Sequence, residues 1–311
     1  MPAIDIQHFE SADTFLSALR KSSDVWWTDG GTVSPWVFRG IGDSESWKLL
    51  PSAWRGQAKA SKIAPLLAKI VARRLEVPHE AAVDDALRYY YECQAAELES
   101  VYQFAHLANS AGFPVSHDTL LPSQSPLLTG FAAGFRGDSR FPNVELLALA
   151  QHHGIPTRLL DWAESSVVAA FFAASPLLRP NSSANICVWA LDTSYLQTKQ
   201  GLMLRFGPYG VLVHRVPRAG NSYLHSQGGV HTELLGPEQH FLKHREWPAL
   251  EDVFAQVRSK VPMLVGHVLA AQEVPRLARL LDREGINSSV LMPSLDNVAK
   301  TVMLRWQEPE K

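Results

Sequence analysis

Two residues resist a purely structural explanation. Arg39 closes the β-prone run "WVFRG" at residues 36–40, and Arg158 breaks the apolar run "TRLLDW" at 157–162. A guanidinium set among apolar neighbours must find an anion, either a buried carboxylate or a ligand phosphate. For Arg158 the nearest candidate in sequence is Asp161, and Gly40 beside Arg39 permits a close approach of another backbone. Two arginines at strand ends point to an anion-binding cleft. A further crowd of polar groups, Arg218, Tyr223, His225, Gln227, His231 and Glu233, lies in "RAGNSYLHSQGGVHTEL" at 218–234. Its glycines allow tight turns, and polar loops of this kind face either solvent or a site.

Helix-end chemistry competes for some of these residues. Asp161 followed by Glu164 ahead of an apolar segment fits a capping box. Gln151, His152 and His153 end a helix, where imidazole suits the negative end of the helix dipole. Adjacent histidines point about 100° apart on a helix, so they make no ready metal pair. No metal is expected; a metal-dependent hydrolase or nuclease built on His152, His153, His225 and His231 is the rival reading.

These groups need a scaffold. Ser11 caps a short amphipathic helix, "ADTFLSALRK", and the strand "WVFRG" follows. Apolar positions recur at helical spacing from about 59 to 111, which predicts a helical hairpin inserted after that strand. The Gly, Pro and Ser-rich stretch 112–142 reads as a loop or lid. Then come a helix "NVELLALAQHH", the strand "TRLLDW", a helix "AESSVVAAFFAA", and strands in "ANICVWALD", "GVLVHRVPR", "GGVHTELL" and "PMLVGHVLA". The C-terminal part reads as helix "EVPRLARLLDREG", strand "INSSVLM" and helix "LDNVAKTVMLRW". Strands scattered irregularly among helices predict an α+β fold with a mixed or antiparallel sheet in one domain spanning 1–311. No glycine-rich phosphate loop follows a strand, which disfavours Rossmann and P-loop enzymes.

Composition narrows the partners. With 29 basic and 31 acidic residues, the chain has no overall pull toward nucleic acid or anionic membrane. No segment offers about 18 uninterrupted apolar residues, and no export signal opens the chain, so a cytoplasmic protein without a membrane partner is expected. Two cysteines, Cys93 and Cys187, are too few for a disulfide framework.

The blocks "WVFRG", "LLPSAWR", "LALAQHHGIPTRLLDWAESSVVAAFFAA" and "PRAGNSYLHSQGGVHT" resemble, in order, the signature blocks of the FRG domain, named for the triplet present here as Phe38, Arg39 and Gly40. The resemblance runs over about residues 10–305. Ala163 stands where the family usually has threonine, and Val230 where it usually has an aromatic residue. The block order is also similar to that of ADP-ribosyltransferases. That likeness implies an ADP-ribosyltransferase-like core with NAD as substrate and a toxin or phage-defence role, or else a non-catalytic module binding a nucleotide or peptide. It implies a macromolecular acceptor, protein or nucleic acid, and an antitoxin or regulatory partner. By the same analogy Phe38, Arg39, Gly40, Arg158, Trp162 and Tyr223 hold NAD. Asp161, Gln227 and Glu233 are then catalytic, a carboxylate offsetting the positive charge that develops on the ribose. The late motif presents Gln227 where protein-modifying transferases carry glutamate, which a neutral amide cannot replace electrostatically.

Overall fold

The computed structural model describes residues 2–27, 33–55, 64–72, 84–115, 144–175, 183–198, 201–206, 209–216 and 229–306. Its strands are β1 (Ile4–Phe9), β2 (Trp36–Ile41), β3 (Leu159–Ala163), β4 (Ile186–Asp192), β5 (Gln197–Thr198), β6 (Gly201–Phe206), β7 (Tyr209–His214), β8 (Gly229–Leu235) and β9 (Leu264–Leu269). Its helices are α1 (Ala12–Leu19), α2 (Ala64–Ala72), α3 (Asp85–Ser110), α4 (Val144–His152), α5 (Ser166–Ala174), α6 (Pro237–His244), α7 (Leu250–Ala255), α8 (Val274–Arg283), α9 (Ser288–Leu291) and α10 (Leu295–Trp306).

The strands join in the order β1-β9-β4-β2-β3-β8-β7-β6-β5. Among the described residues only β1 and β9 pair in parallel; the other neighbours are antiparallel. This is the open, mostly antiparallel sheet that the irregular mix of strands and helices predicts. The strand β4 is buried along its whole length, consistent with its unbroken apolar sequence and its place between β9 and β2.

Alternation along the strands sends side chains to two cores. On one face Phe38, Val188 and Ile186 meet α1, α5 and α8, while Leu159 meets α3 and α4. On the other, Val37, Leu160, Trp162 and Trp189 pack with α7 and the turn at Ser52–Trp54. The helix α5 is made largely of alanine and small residues, so it can lie very close to the sheet. A Cβ added at Gly40 would stand 1.9 Å from the backbone oxygen of Ala169 and 2.7 Å from the nitrogen of Ala173. Within the triplet at 38–40, the phenylalanine thus fills the core under α5 and the glycine admits the helix.

Local signals account for much of this. Ser11 accepts from the Thr14 amide at 3.2 Å and starts α1, whose Phe15, Leu16 and Leu19 are buried. Asp84 caps α3 by accepting from the amides of Ala86 and Leu87 at 2.8 and 3.0 Å. Within the expected insert, α2 packs on α3 through Leu67, Ile70, Cys93 and Ala96. Of the expected lid at 112–142, only residues 112–115 fall among those described.

Two local expectations fail. Asp161 is not a helix cap: it lies inside β3, and α5 begins only at Ser166, after Ser165. Pairing with β8 claims the aspartate before a helix can start. "INSSVLM" is not a strand but forms α9, because the Asn287 side chain accepts from the Ser289 amide at 3.1 Å and nucleates a turn. The last helix is inverted in polarity. Thr301 is its buried residue, bonded to Ser288 at 2.7 Å, and Arg305 holds Asp282 through two contacts of 2.8 Å. Leu295, Val298, Val302 and Trp306, which recur at helical spacing, face outward.

Candidate functional site

The sheet has a seam. Six residues of β2 pair with β4 and five of β3 pair with β8, yet β2 and β3 meet only at Phe38 and Ala163. Continued along the strands, that register would set Gly40 opposite Asp161, but the rung is not made. The Asp161 carbonyl accepts instead from Arg39, whose Nη1 lies 2.6 Å away. A side chain thus replaces a ladder hydrogen bond where the strands part, and a cavity of about 380 Å³ opens there.

Each wall comes from a different element. β2 and the following loop supply Arg39, Gly40 and Trp47; α4 supplies Gln151 and His152; β3 supplies Asp161; α5 supplies Phe172; and β8 supplies His231. The Asp161 side chain is 58% exposed, whereas Arg39 and His231 are 16% and 3% exposed. The carboxylate therefore faces the cavity while the groups that hold it lie behind.

Asp161 is heavily tethered. Its Oδ1 accepts from Gln151 Nε2 at 2.5 Å and lies 3.3 Å from Nε2 of His231, directly across the β3–β8 ladder; its Oδ2 is 3.9 Å from Arg39. Burial opposes its charge. The hydrogen bond from His231, the Arg39 and His231 charges and the Gln151 bond outweigh that and hold Asp161 below the usual carboxylate range. Gln151 is fixed at both ends, since its Oε1 also accepts from the Thr157 hydroxyl. Burial brings Arg39 down to about 10, against the opposing charge of Asp161 and with the like charge of Arg55 adding to the fall. Arg39 Nε and His231 Nδ1 are buried without a hydrogen-bond partner. Burial likewise lowers His152, as does the charge of His153, with Asp161 pulling the other way.

The expected site residues separate into groups. Arg39, Gly40 and Asp161 come together in the cavity lining, and so do Phe38 and Trp162. The last two nevertheless belong to the cores: Phe38 is fully buried, and Trp162 is 2% exposed with its indole N–H donating to Thr232 at 2.9 Å. Arg158 is a correction, because it does not line the cavity. Its Nε lies 3.0 Å from Glu97, whose Oε1 also accepts the Arg158 amide at 2.8 Å, and Nη2 donates to Gln94 at 2.5 Å. Burial works against the Arg158 charge, and Glu97 more than offsets it, raising the pKa. The anion it requires is thus a carboxylate 61 residues upstream on α3. Glu233 is also outside the lining, paired with His214 at 3.1 Å. Tyr223 and Gln227 lie outside the described residues.

Trp47 and Arg55 have no role in the sequence reading, Gln151 and His152 stand there as helix-end residues, and His231 appears only within the polar crowd at 218–234 and the rival metal reading. For Gln151 and His152 the helix-end reading is correct but incomplete: the helix ends at the cavity. The signal for His231 was period-two alternation in "GGVHTELL", which sets His231 and Glu233 on one face. Among the described residues no group of three or more His, Cys, Asp or Glu is placed to hold a metal ion. Nor is any described helix long and apolar enough to cross a membrane.

No curated protein and no solved structure matches the chain. A family model does: residues 123–181 match the FRG domain. The match takes in α4, β3 and α5, three of the elements that wall the cavity.

Proposed function

Starting from a chain that carries an FRG domain, we propose that the cleft binds NAD and cleaves its nicotinamide–ribose bond, as an ADP-ribosyltransferase or NAD glycohydrolase. One observation carries the reading: among the described lining residues one ionised carboxylate, Asp161, faces the cavity with the desolvated cation Arg39 held directly beside it. In the reaction the bond between C1′ and the pyridinium nitrogen breaks, and its electron pair leaves with neutral nicotinamide. Positive charge builds on the ribose, and Asp161 offsets it from a fixed position. A hydroxyl, amine or water then bonds to C1′ and releases a proton. Arg39 attracts the pyrophosphate, while Gln151 and His231 keep the carboxylate oriented and ionised. The acceptor is a macromolecule or water, and a toxin or defence role fits an enzyme that consumes NAD.

Incubation with NAD and measurement of nicotinamide by mass spectrometry tests this. Release is expected from the wild type and is lost in Asp161→Asn and Arg39→Ala. Release undiminished in both variants, or absent from the wild type, overturns it. If NAD raises the melting temperature without being consumed, the cleft is a non-catalytic nucleotide-binding module.

A further inference from the structure

The loop that leaves β2 carries a tryptophan with no evident structural need for its placement and, at its far end, a second arginine. Trp47 lines the cavity yet is 54% exposed, unusual for a tryptophan with a core available to it. Its backbone is firmly set. Asp43 Oδ1 accepts from the amides of Glu45 and Ser46 at 3.1 and 2.9 Å, and the Trp47 amide donates to the Asp43 carbonyl at 3.1 Å. Two residues on, the Leu49 amide is held by the Glu251 carboxylate at 3.0 Å, and Lys48 pairs with Asp252 at 3.1 Å. The loop is therefore anchored on both sides of an indole that stands open at the cavity.

At the far end of the same loop, Arg55 Nε donates to the Leu50 carbonyl at 2.8 Å. Burial lowers its pKa and the charge of Asp161 raises it in part, so its guanidinium lies within electrostatic reach of the cleft carboxylate; its charge also acts on Arg39. Arg39 is in contact with Asp161 and the charge of Arg55 acts on both, an excess of positive charge that a phosphate group would neutralise. A planar π surface beside such a cation pair matches a heteroaromatic ring linked through ribose to phosphate.

We infer that residues 42–55 form a subsite for one half of a dinucleotide, with Trp47 stacking on the planar ring and Arg55 joining Arg39 on the phosphate. The inference rests on the reading of the cleft as a nucleotide site but not on cleavage. Calorimetric titration of the full chain with AMP, nicotinamide mononucleotide and inorganic pyrophosphate tests it. Trp47→Ala is expected to weaken at least one of the two nucleotides about tenfold. Trp47→Phe keeps that affinity, and pyrophosphate binding is unchanged in both. The nucleotide that responds identifies which half occupies the subsite. Arg55→Gln is expected to weaken pyrophosphate and the responding nucleotide together. Wild-type affinity of Trp47→Ala for both nucleotides, pyrophosphate binding indifferent to Arg55→Gln, or no binding to the wild type overturns the inference. Binding with this pattern but without nicotinamide release from NAD leaves the subsite standing and removes the enzymatic reading.

Discussion

Asp161 and Arg158 are three residues apart and do opposite work. Arg158 is spent on Glu97, which is almost wholly buried, and breaking such a pair leaves a charge uncompensated. Glu97→Ala should therefore cost about 3 kcal/mol, read by urea denaturation, while Glu97 itself lies outside the lining of the cavity. Asp161 faces the cavity, and its isosteric amide is expected to slow nicotinamide release by about 10²–10³-fold with little change in melting temperature. The pH profile should be broad. The depressed pKa of Asp161 keeps it ionised down through the ordinary carboxylate range, and NAD affinity should fall as pH rises past about 10, where Arg39 loses its proton. A profile that breaks near neutrality would point to a histidine in place of this pair. The need of Arg158 for an anion was legible in the sequence; its partner was not, because Glu97 lies in a helix 61 residues away and no local spacing encodes that contact.

Among the elements, β2 and α5 depend on each other most closely. Gly40 stands where any side chain would enter the backbone of α5, so Gly40→Ala must push the helix off the sheet. A loss of about 3 kcal/mol is expected, with weaker ligand binding because Phe172 on α5 lines the same cavity. Wild-type stability in this variant would contradict the close approach. Strand β2, helix α5 and the strand-like character of 157–162 could be read from alternation and composition. The boundaries were harder: a capping-box pattern at Asp161 and Glu164 competed with strand pairing, and the ladder to β8 decided it. "INSSVLM" was decided the other way, by an asparagine cap stronger than the β-propensity of four apolar residues.

In the whole molecule, the C-terminal helices show what holds the periphery on. The helix α10 is joined to α8 by Arg305 and Asp282, and the Arg305 bond, outweighing burial, holds the Asp282 pKa down. A depressed carboxylate stabilises the fold above its unfolded value of about 3.9. That contribution is lost as pH falls through the lower folded value. Amide exchange in α10 should thus quicken first on acidification below about pH 4, and Asp282→Asn should show the same fast exchange already at neutral pH. Val302→Asp, on the outward stripe, is expected to leave the melting temperature within about 1 °C, since surface changes are usually small. A helix with its apolar residues outside defeats pattern reading, which assigns the stripe to the core.

The missing rung between Gly40 and Asp161 also bears on time. The strand groups β1-β9-β4-β2 and β3-β8-β7-β6-β5 touch at one register pair, so a molecule seated between them is gripped by both together. Widening of that joint moves both walls away from the guest at once, so residence time should depend on the joint's stiffness as well as on the single contacts to the guest.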